Sequence, residues 1–192
     1  MSQLNKQTMK IATHDSGTGE PSLRWYHRLL VPFSRCQLLN LTEQYEHGCR
    51  YFDLRVRKSS DGRWRLCHGL WQSSTTLTQA FDDLMQASLR SNDSVYAMIT
   101  YEGSLTTDQQ QQFLREMKEL VEGYPMITLT EINCKLPHWT LISRLCSVPF
   151  EAAYVKIVGW KCLLPIPFIW QLITEDDDME FNSDIFTMVD FL

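Results

Sequence analysis

The sequence predicts an α/β fold, and three stretches between residues 77 and 123 carry that prediction. Leu77 to Leu89 places Leu77, Ala80, Phe81, Leu84, Ala87 and Ser88 on one stripe of a helix. Val95 to Tyr101 is a continuous apolar run, the pattern of a parallel strand covered on both faces. Thr106 to Gly123 returns to the helical period: Asp108 lies in the first turn, Phe113, Met117 and Leu120 face inward, and Gly123 closes the segment. Helix, strand and helix joined by short links are the mark of α/β alternation.

Upstream, residues 1–10 read as a ragged start, and Met9 to Thr13 as a first strand. The run Ile11-Ala12-Thr13-His14-Asp15-Ser16-Gly17-Thr18-Gly19 then passes from apolar residues to a His-Asp pair and two glycines. A strand that positions side chains, followed by glycines that free the backbone, suits a functional loop, and an imidazole beside a carboxylate suits acid–base work. Taken alone, the same residues also suit a turn with a surface histidine. Pro21 to Phe33 is read as a loop with one helical turn, Leu38 to His47 as a helix closed by Gly48. Cys49 to Val56 alternates, with Cys49, Tyr51, Asp53 and Arg55 on one face and Arg50, Phe52, Leu54 and Val56 on the other. An edge strand facing water is the plain explanation of the polar face. Lys58 to Gly62 is a turn, and Trp64 to His68 a short strand that ends in His68-Gly69. Trp71 is placed on a loop tip, touching lipid, lining a pocket or packing inward. Later elements are weaker: strands at Met126 to Leu129, Ala153 to Val158 and Ile185 to Val189, a short helix at Leu136 to Ser147, and Asp190 at the last strand's end.

Composition narrows the class. The 192 residues are expected to form one domain over 1–192; 44% are apolar, with six Trp and nine Phe, which argues against disorder. A net charge of −5 argues against a general nucleic-acid binder. The acidic run Glu175 to Asp178, with Glu180, is read as a solvated loop. Cys36, Cys49, Cys67, Cys134, Cys146 and Cys162 form no CxxC pair, so buried free thiols are expected. The start of the chain is polar, without signal-peptide character. The apolar run Cys162 to Ile173 is too short to span a bilayer and is broken by Pro165 and Pro167. The expectation is a soluble, by default cytoplasmic monomer with peripheral membrane contact.

The charged residues fall into a constellation. His14 and Asp15 follow the first strand, Asp53 and Arg55 lie on the second, His68 and Glu102 end two more, and Asp190 ends the last. In a parallel α/β barrel catalytic side chains come from the C-terminal ends of several strands. Two histidines with carboxylate neighbours and an arginine supply a base, an acid and an anion clamp, a set suited to attack on a phosphodiester. Asp53 is read as a structural partner of Arg55 or Arg57, Arg57 as facing solvent or the sheet rim, and His27, His47 and His138 as surface or packing residues.

THDSGT at 13–18, GCRYFDLRVR at 48–57 and HG at 68–69 resemble the X domain of phosphatidylinositol-specific phospholipase C, and VDF at 189–191 resembles that family's last barrel strand. The resemblance covers residues 11–103 and the tail, and is weak or absent from about 124 to 184. It implies a TIM-type (β/α) barrel. Such barrels need about 250 residues, so with 192 here a shortened barrel is expected, incomplete or distorted after the fourth strand. It also implies roles. His14 is the base that deprotonates the inositol 2-hydroxyl for attack on phosphorus, and Asp190 orients it. His68 is the acid that protonates the departing diacylglycerol oxygen, with Asp15 as its partner. Arg55 binds and polarises the phosphate, and the products are diacylglycerol and a cyclic inositol phosphate. The calcium-dependent members carry Asn after the first His and an acidic ligand where Arg55 stands, so the resemblance points to the metal-independent type found in bacteria and in X-domain-only proteins, with no cofactor. Glu102 falls where calcium enzymes place a ligand and bacterial ones a lysine. It is assigned to substrate binding, with a weak cation site shared with Asp53 and Asp15 as the alternative. The expected partner is phosphatidylinositol or a related phospholipid. Two other functions stay open: a phosphodiesterase acting on glycerophosphodiesters or sphingomyelin-like lipids, and a catalytically impaired X domain that binds lipid or phosphoinositide.

Overall fold

The computed structural model describes residues 11–134 and 187–189. Seven strands form one sheet: β1 (Ile11–Thr13), β2 (Cys49–Lys58), β3 (Trp64–His68), β4 (Trp71–Thr76), β5 (Val95–Tyr101), β6 (Ile127–Asn133) and β7 (Thr187–Val189). Four α-helices accompany them: α1 (Val31–Ser34), α2 (Leu41–Glu46), α3 (Leu77–Ser91) and α4 (Thr107–Glu122). Single 3₁₀ segments cover Ser16–Gly19 and Trp25–Leu30.

The parallel part runs β7-β1-β2-β5-β6, and β3 and β4 form an antiparallel hairpin on β2. The fold is therefore a mixed α/β fold. No pairing joins β6 to β7 among the described residues, so the sheet is open there, and a closed barrel is not what these strands show. The predicted elements at Leu136–Ser147 and Ala153–Val158, and Asp190 itself, lie outside the described residues, as do Cys146, Cys162 and His138.

β2 is the axis of this arrangement. β5 pairs with Tyr51 through Val56 along one edge. β1 and β3 share the other: β1 pairs with Cys49, Tyr51 and Phe52, and β3 with Val56, Arg57 and Lys58. The ten-residue strand thus outruns its three-residue neighbour, and the turn that leaves β1 reaches the gap beside Asp53 to Arg55. This overturns the edge-strand explanation of the polar face. β2 is interior to the sheet, Asp53 is fully buried and Arg55 nearly so. Because side chains alternate along a strand, Phe52, Leu54 and Val56 point the opposite way. There they join the apolar core with Leu77, Phe81 and Leu84 of α3 and Phe113 and Met117 of α4.

α2, α3 and α4 begin where the sequence supplies capping boxes, in which a side chain caps the first turn and the N3 side chain caps back. Thr76 with Gln79 opens α3, and Thr106 with Gln109 opens α4. Asn40 with Glu43 does the same for α2. That box starts α2 at Leu41, three residues later than the apolar pattern from Leu38 suggests, and Leu38 stays exposed. Strand β4 carries no strand signal in its sequence. Its sequence after Trp71 is Gln-Ser-Ser-Thr-Thr, without apolar alternation, and the hairpin with β3 supplies its bonding. Trp71 is no loop tip: it is buried at the start of β4, and its indole Nε1 donates to Ser22 Oγ at 2.9 Å. Leu70 is the exposed apolar residue of that turn. Cys49 and Cys67 are buried free thiols, Cys36 is a buried thiol, and Cys134 is a half-buried free one. No described helix is long and apolar enough to cross a membrane.

Candidate active site

Four of the sequence-predicted residues meet in the gap on β2. β1 ends at Thr13, and the chain turns sharply at Asp15, which adopts φ 46°, a left-handed conformation that Asp tolerates better than most residues. The turn is clamped from beneath. Asp15 N–H donates to Asp53 Oδ2 at 3.3 Å, and Gln37 Nε2 donates to the His14 carbonyl at 2.9 Å. Thr18 Oγ1 accepts from the backbone N–H groups of Cys36 and Gln37, at 2.9 and 3.0 Å.

Arg55 rises from β2 into this turn. Its Nε lies 2.5 Å from Asp15 Oδ1, and its Nη2 lies 3.5 Å from Asp53 Oδ2. Nη2 also donates to His14 Nε2 at 2.7 Å. An arginine can only donate, so Nε2 of His14 must offer its lone pair, and the ring is neutral with its proton on Nδ1. Burial opposes the charge on Arg55, but Asp15, Asp53 and Glu102 more than offset it, so the guanidinium holds its proton more firmly than usual.

His68 comes from β3, whose antiparallel course brings its C-terminal end back toward Arg55. His68 Nδ1 lies 2.6 Å from the Ser34 carbonyl and 3.4 Å from Asp15 Oδ2. A carbonyl only accepts, so this ring carries its proton on Nδ1, and Nε2 is the nitrogen left to exchange a proton. The Asp15 carboxylate therefore spans the cluster, with Oδ1 on the guanidinium and Oδ2 between His68 and His14, 3.6 Å from His14 Nε2.

Asp53 sits deeper, its reading as a partner of Arg55 matched by the 3.5 Å approach. Burial pushes its carboxyl up, and the Asp15 charge adds to this, while the Arg55 guanidinium opposes it. A folded-state pKa above the unfolded value contributes stability at pH below the ordinary carboxylate range, and this is lost as pH rises through the raised value. Asp53→Asn has no such titration. The stability of the natural protein minus that of the variant should therefore fall as pH is raised from about 4, as denaturant titrations at several pH values would reveal; a difference that is flat or rises with pH contradicts the raised value.

Glu102 is buried just after β5. Its Oε1 accepts from the Gly69 N–H at 2.5 Å, and Cys67 Sγ lies 3.6 Å from Oε2, so the carboxylate holds the turn that follows His68. Arg57 does not reach Asp53; its Nε donates to the Glu102 backbone carbonyl at 2.9 Å. His27 is buried, with Nδ1 3.1 Å from the Gln72 carbonyl, and His47 lies exposed against Glu43.

Two members of the site escaped the sequence reading. Ser34 contributes a backbone carbonyl, for which its side-chain type carries no signal. Cys36, buried, places Sγ 3.7 Å from Asp15 Oδ2 and 3.9 Å from His68 Nδ1. Nothing in its sequence neighbourhood distinguishes it from the other thiols.

Calcium, which some relatives implied by the sequence resemblance use, does not fit this donor set. It needs six or more hard oxygens, whereas Asp15 Oδ1 is already paired with a guanidinium and a thiol and two imidazoles crowd Oδ2.

A search of curated proteins returned no match. Among solved structures, a phosphatidylinositol-specific phospholipase C from S. aureus, described for its membrane binding, is 19% identical with a TM-score of 0.49, covering 65% of this chain and 48% of its own. The phosphatidylinositol-specific phospholipase C from Listeria monocytogenes is likewise 19% identical, with a TM-score of 0.45, covering 66% of this chain and 52% of its own. The chain thus spans about half the length of each. The family model "Phosphatidylinositol-specific phospholipase C, X domain" matches residues 22–140, more than half of the chain, beginning just after the His14–Asp15 turn. The chain belongs to the phosphatidylinositol-specific phospholipase C X-domain family.

Proposed function

We propose that the protein is a metal-independent phospholipase C that cleaves phosphatidylinositol-type lipids to diacylglycerol and a cyclic inositol phosphate. The observation that carries this reading is the single buried carboxylate of Asp15 joining the Arg55 guanidinium to the His68 imidazole, with His14 hydrogen-bonded to the same guanidinium. Family membership supports the phosphodiesterase chemistry, and the open sheet is taken as part of a shortened TIM-type (β/α) barrel.

In this reading His14 is the base. Its Nε2 lone pair is held by Arg55 until a phosphate arrives. Arg55 Nη2 then turns to a phosphoryl oxygen, and Nε2 is released to take the proton of the inositol 2-hydroxyl. The hydroxyl oxygen attacks phosphorus, Arg55 offsets the charge that builds on the phosphoryl oxygens, and protonated His68 gives its Nε2 proton to the departing diacylglycerol oxygen. Asp15 favours the charged form of Arg55. Asp190 is assigned to orient His14. Glu102 is assigned to hold the His68 turn at the substrate-facing rim. Exposed Trp25, Leu29 and Leu70 surround the segments that carry Ser34 and His68, and are assigned to contact the membrane surface.

The test is release of diacylglycerol from vesicles containing phosphatidylinositol, with and without chelator. Turnover should be unchanged by chelator and fall about 10²–10⁴-fold in each of His14→Ala and His68→Ala. Turnover that survives in both variants, or that disappears on chelation, would sink the proposal. Vesicle binding with no turnover in the natural protein would favour the impaired lipid-binding domain instead.

A further inference from the structure

The catalytic cluster holds a thiol that the proposed chemistry does not use. Cys36 Sγ, Asp15 Oδ2 and His68 Nδ1 form a triangle with edges of 3.7, 3.9 and 3.4 Å. His14 also approaches: its ligand atom, that of Asp15 and that of Cys36 lie within 4.8 Å of one another. Thiolate, imidazole and carboxylate donors bound tetrahedrally to zinc at their usual lengths sit about 3.3–3.6 Å apart. The 3.4 Å edge between Asp15 and His68 falls within that range, and the 3.7 and 3.9 Å edges to Cys36 exceed it by no more than a few tenths of an ångström, which side-chain rotation supplies.

We propose that Asp15, Cys36 and His68 form a binding site for a thiophilic divalent cation, zinc being the probe, and that its occupation switches the enzyme off. Charge and donor type favour this ion over calcium. A thiolate and a carboxylate together cancel the two charges of zinc, and sulfur and nitrogen are soft donors that calcium does not seek. The guanidinium of Arg55 is engaged by Oδ1 of Asp15, whereas the site uses Oδ2, so the cation is held on the carboxylate oxygen that Arg55 leaves to His68 and Cys36. His68, with 23% of its side chain exposed, gives the route in from solvent. Binding replaces the Nδ1 proton of His68 and the Sγ proton of Cys36, both of which leave to solvent. The ring then loses its bond to the Ser34 carbonyl and its ability to act as an acid.

The inhibitory half of this proposal rests on the phospholipase reading; the binding half does not. The test uses the full chain with cobalt(II) as a spectroscopic stand-in, then zinc in competition. A thiolate-to-cobalt charge-transfer band in the near ultraviolet, displaced by zinc, is expected in the natural protein and in Cys134→Ser. It should be lost in Cys36→Ser, with zinc affinity weakened about 10–100-fold or more. A band that is absent, or that persists in Cys36→Ser, overturns the site. Should Cys36→Ser fail to show the natural protein's circular dichroism, Cys36→Ala gives the same comparison. In the vesicle assay, zinc should inhibit the natural protein at least 10-fold more strongly than the Cys36 variant, each relative to its own zinc-free rate. Equal sensitivity overturns the regulatory half. If the zinc-free protein shows no turnover, the phospholipase reading fails while the cobalt spectrum still decides the site.

Discussion

Arg55→Met should destabilise the protein by about 3–5 kcal/mol and reduce turnover by at least about 10²–10³-fold. The two effects have separate causes. Arg55 is the cation that both Asp15 and Asp53 approach, at 2.5 and 3.5 Å, and all three are buried. Methionine fills much of the same volume, so the cavity is small, but it leaves two carboxylates out of water without a cation between them. Neutralising one of them should recover part of the stability. The double variant Arg55→Met/Asp53→Asn is therefore expected to be more stable than Arg55→Met alone, measured by denaturant titration. It should not recover turnover, because the phosphate clamp is still missing. Arg55→Lys separates charge from geometry. A lysine keeps the positive charge and hence much of the stability, but its single ammonium cannot present the planar fork that meets His14, Asp15 and Asp53 together. Its turnover should stay well below that of the natural protein. A single Arg55→Met variant as stable as its parent would show that Asp15 and Asp53 are not both charged in the folded protein.

The site was partly legible in the sequence because its residues fall in short motifs, and partly hidden because their meaning depends on strand order. The helices and β5 could be read locally. The apolar stripes of α3 and α4 and the continuous run of β5 are set by periodicity, which needs no knowledge of neighbours. The alternation of Asp53 and Arg55 was equally visible, but periodicity cannot say whether a polar face meets water or protein. That is decided by β1, which stops after three residues and leaves the Asp53-to-Arg55 stretch to the His14–Asp15 turn. Likewise, the sequence places His68 at a strand end but not on a strand running against β2, and that direction is what brings it to Asp15. Strand β4 was invisible because serine and threonine carry no apolar signal, and its existence follows from pairing with β3. The Ser34 carbonyl stands at the end of α1, and Cys36 enters through the loop that follows, whose path is fixed by hydrogen bonds to Thr18 and to Arg35, not by any pattern of its own.

The same loop explains why Gly19→Ala should be more damaging than Gly17→Ala. A Cβ built on Gly19 would lie 1.8 Å from the Leu39 carbonyl oxygen and 2.6 Å from its carbon. These are backbone atoms, so no side-chain rotation relieves the clash. The Leu39 carbonyl is itself fixed, accepting from Gln44 Nε2 at 2.7 Å while the same amide donates to the Ser16 carbonyl at 2.8 Å. Pushing Leu39 aside therefore strains the link between α2 and the turn that carries His14 and Asp15. Gly17→Ala meets a different obstacle, the Leu66 side chain at 2.8 Å, part of which can rotate. Overpacking of a core commonly costs about 1–3 kcal/mol. Gly17→Ala should fall inside that range and Gly19→Ala above it. The activities should rank the same way, since the segment from Cys36 to Leu39 sets the positions of the Gln37 amide under His14 and of the thiol beside Asp15. Denaturant midpoints and vesicle turnover for the two variants, measured side by side, give the comparison. A Gly19→Ala protein no less stable than Gly17→Ala would mean that the Leu39 segment yields freely, and that the close approach at Gly19 is not what holds the catalytic turn in place.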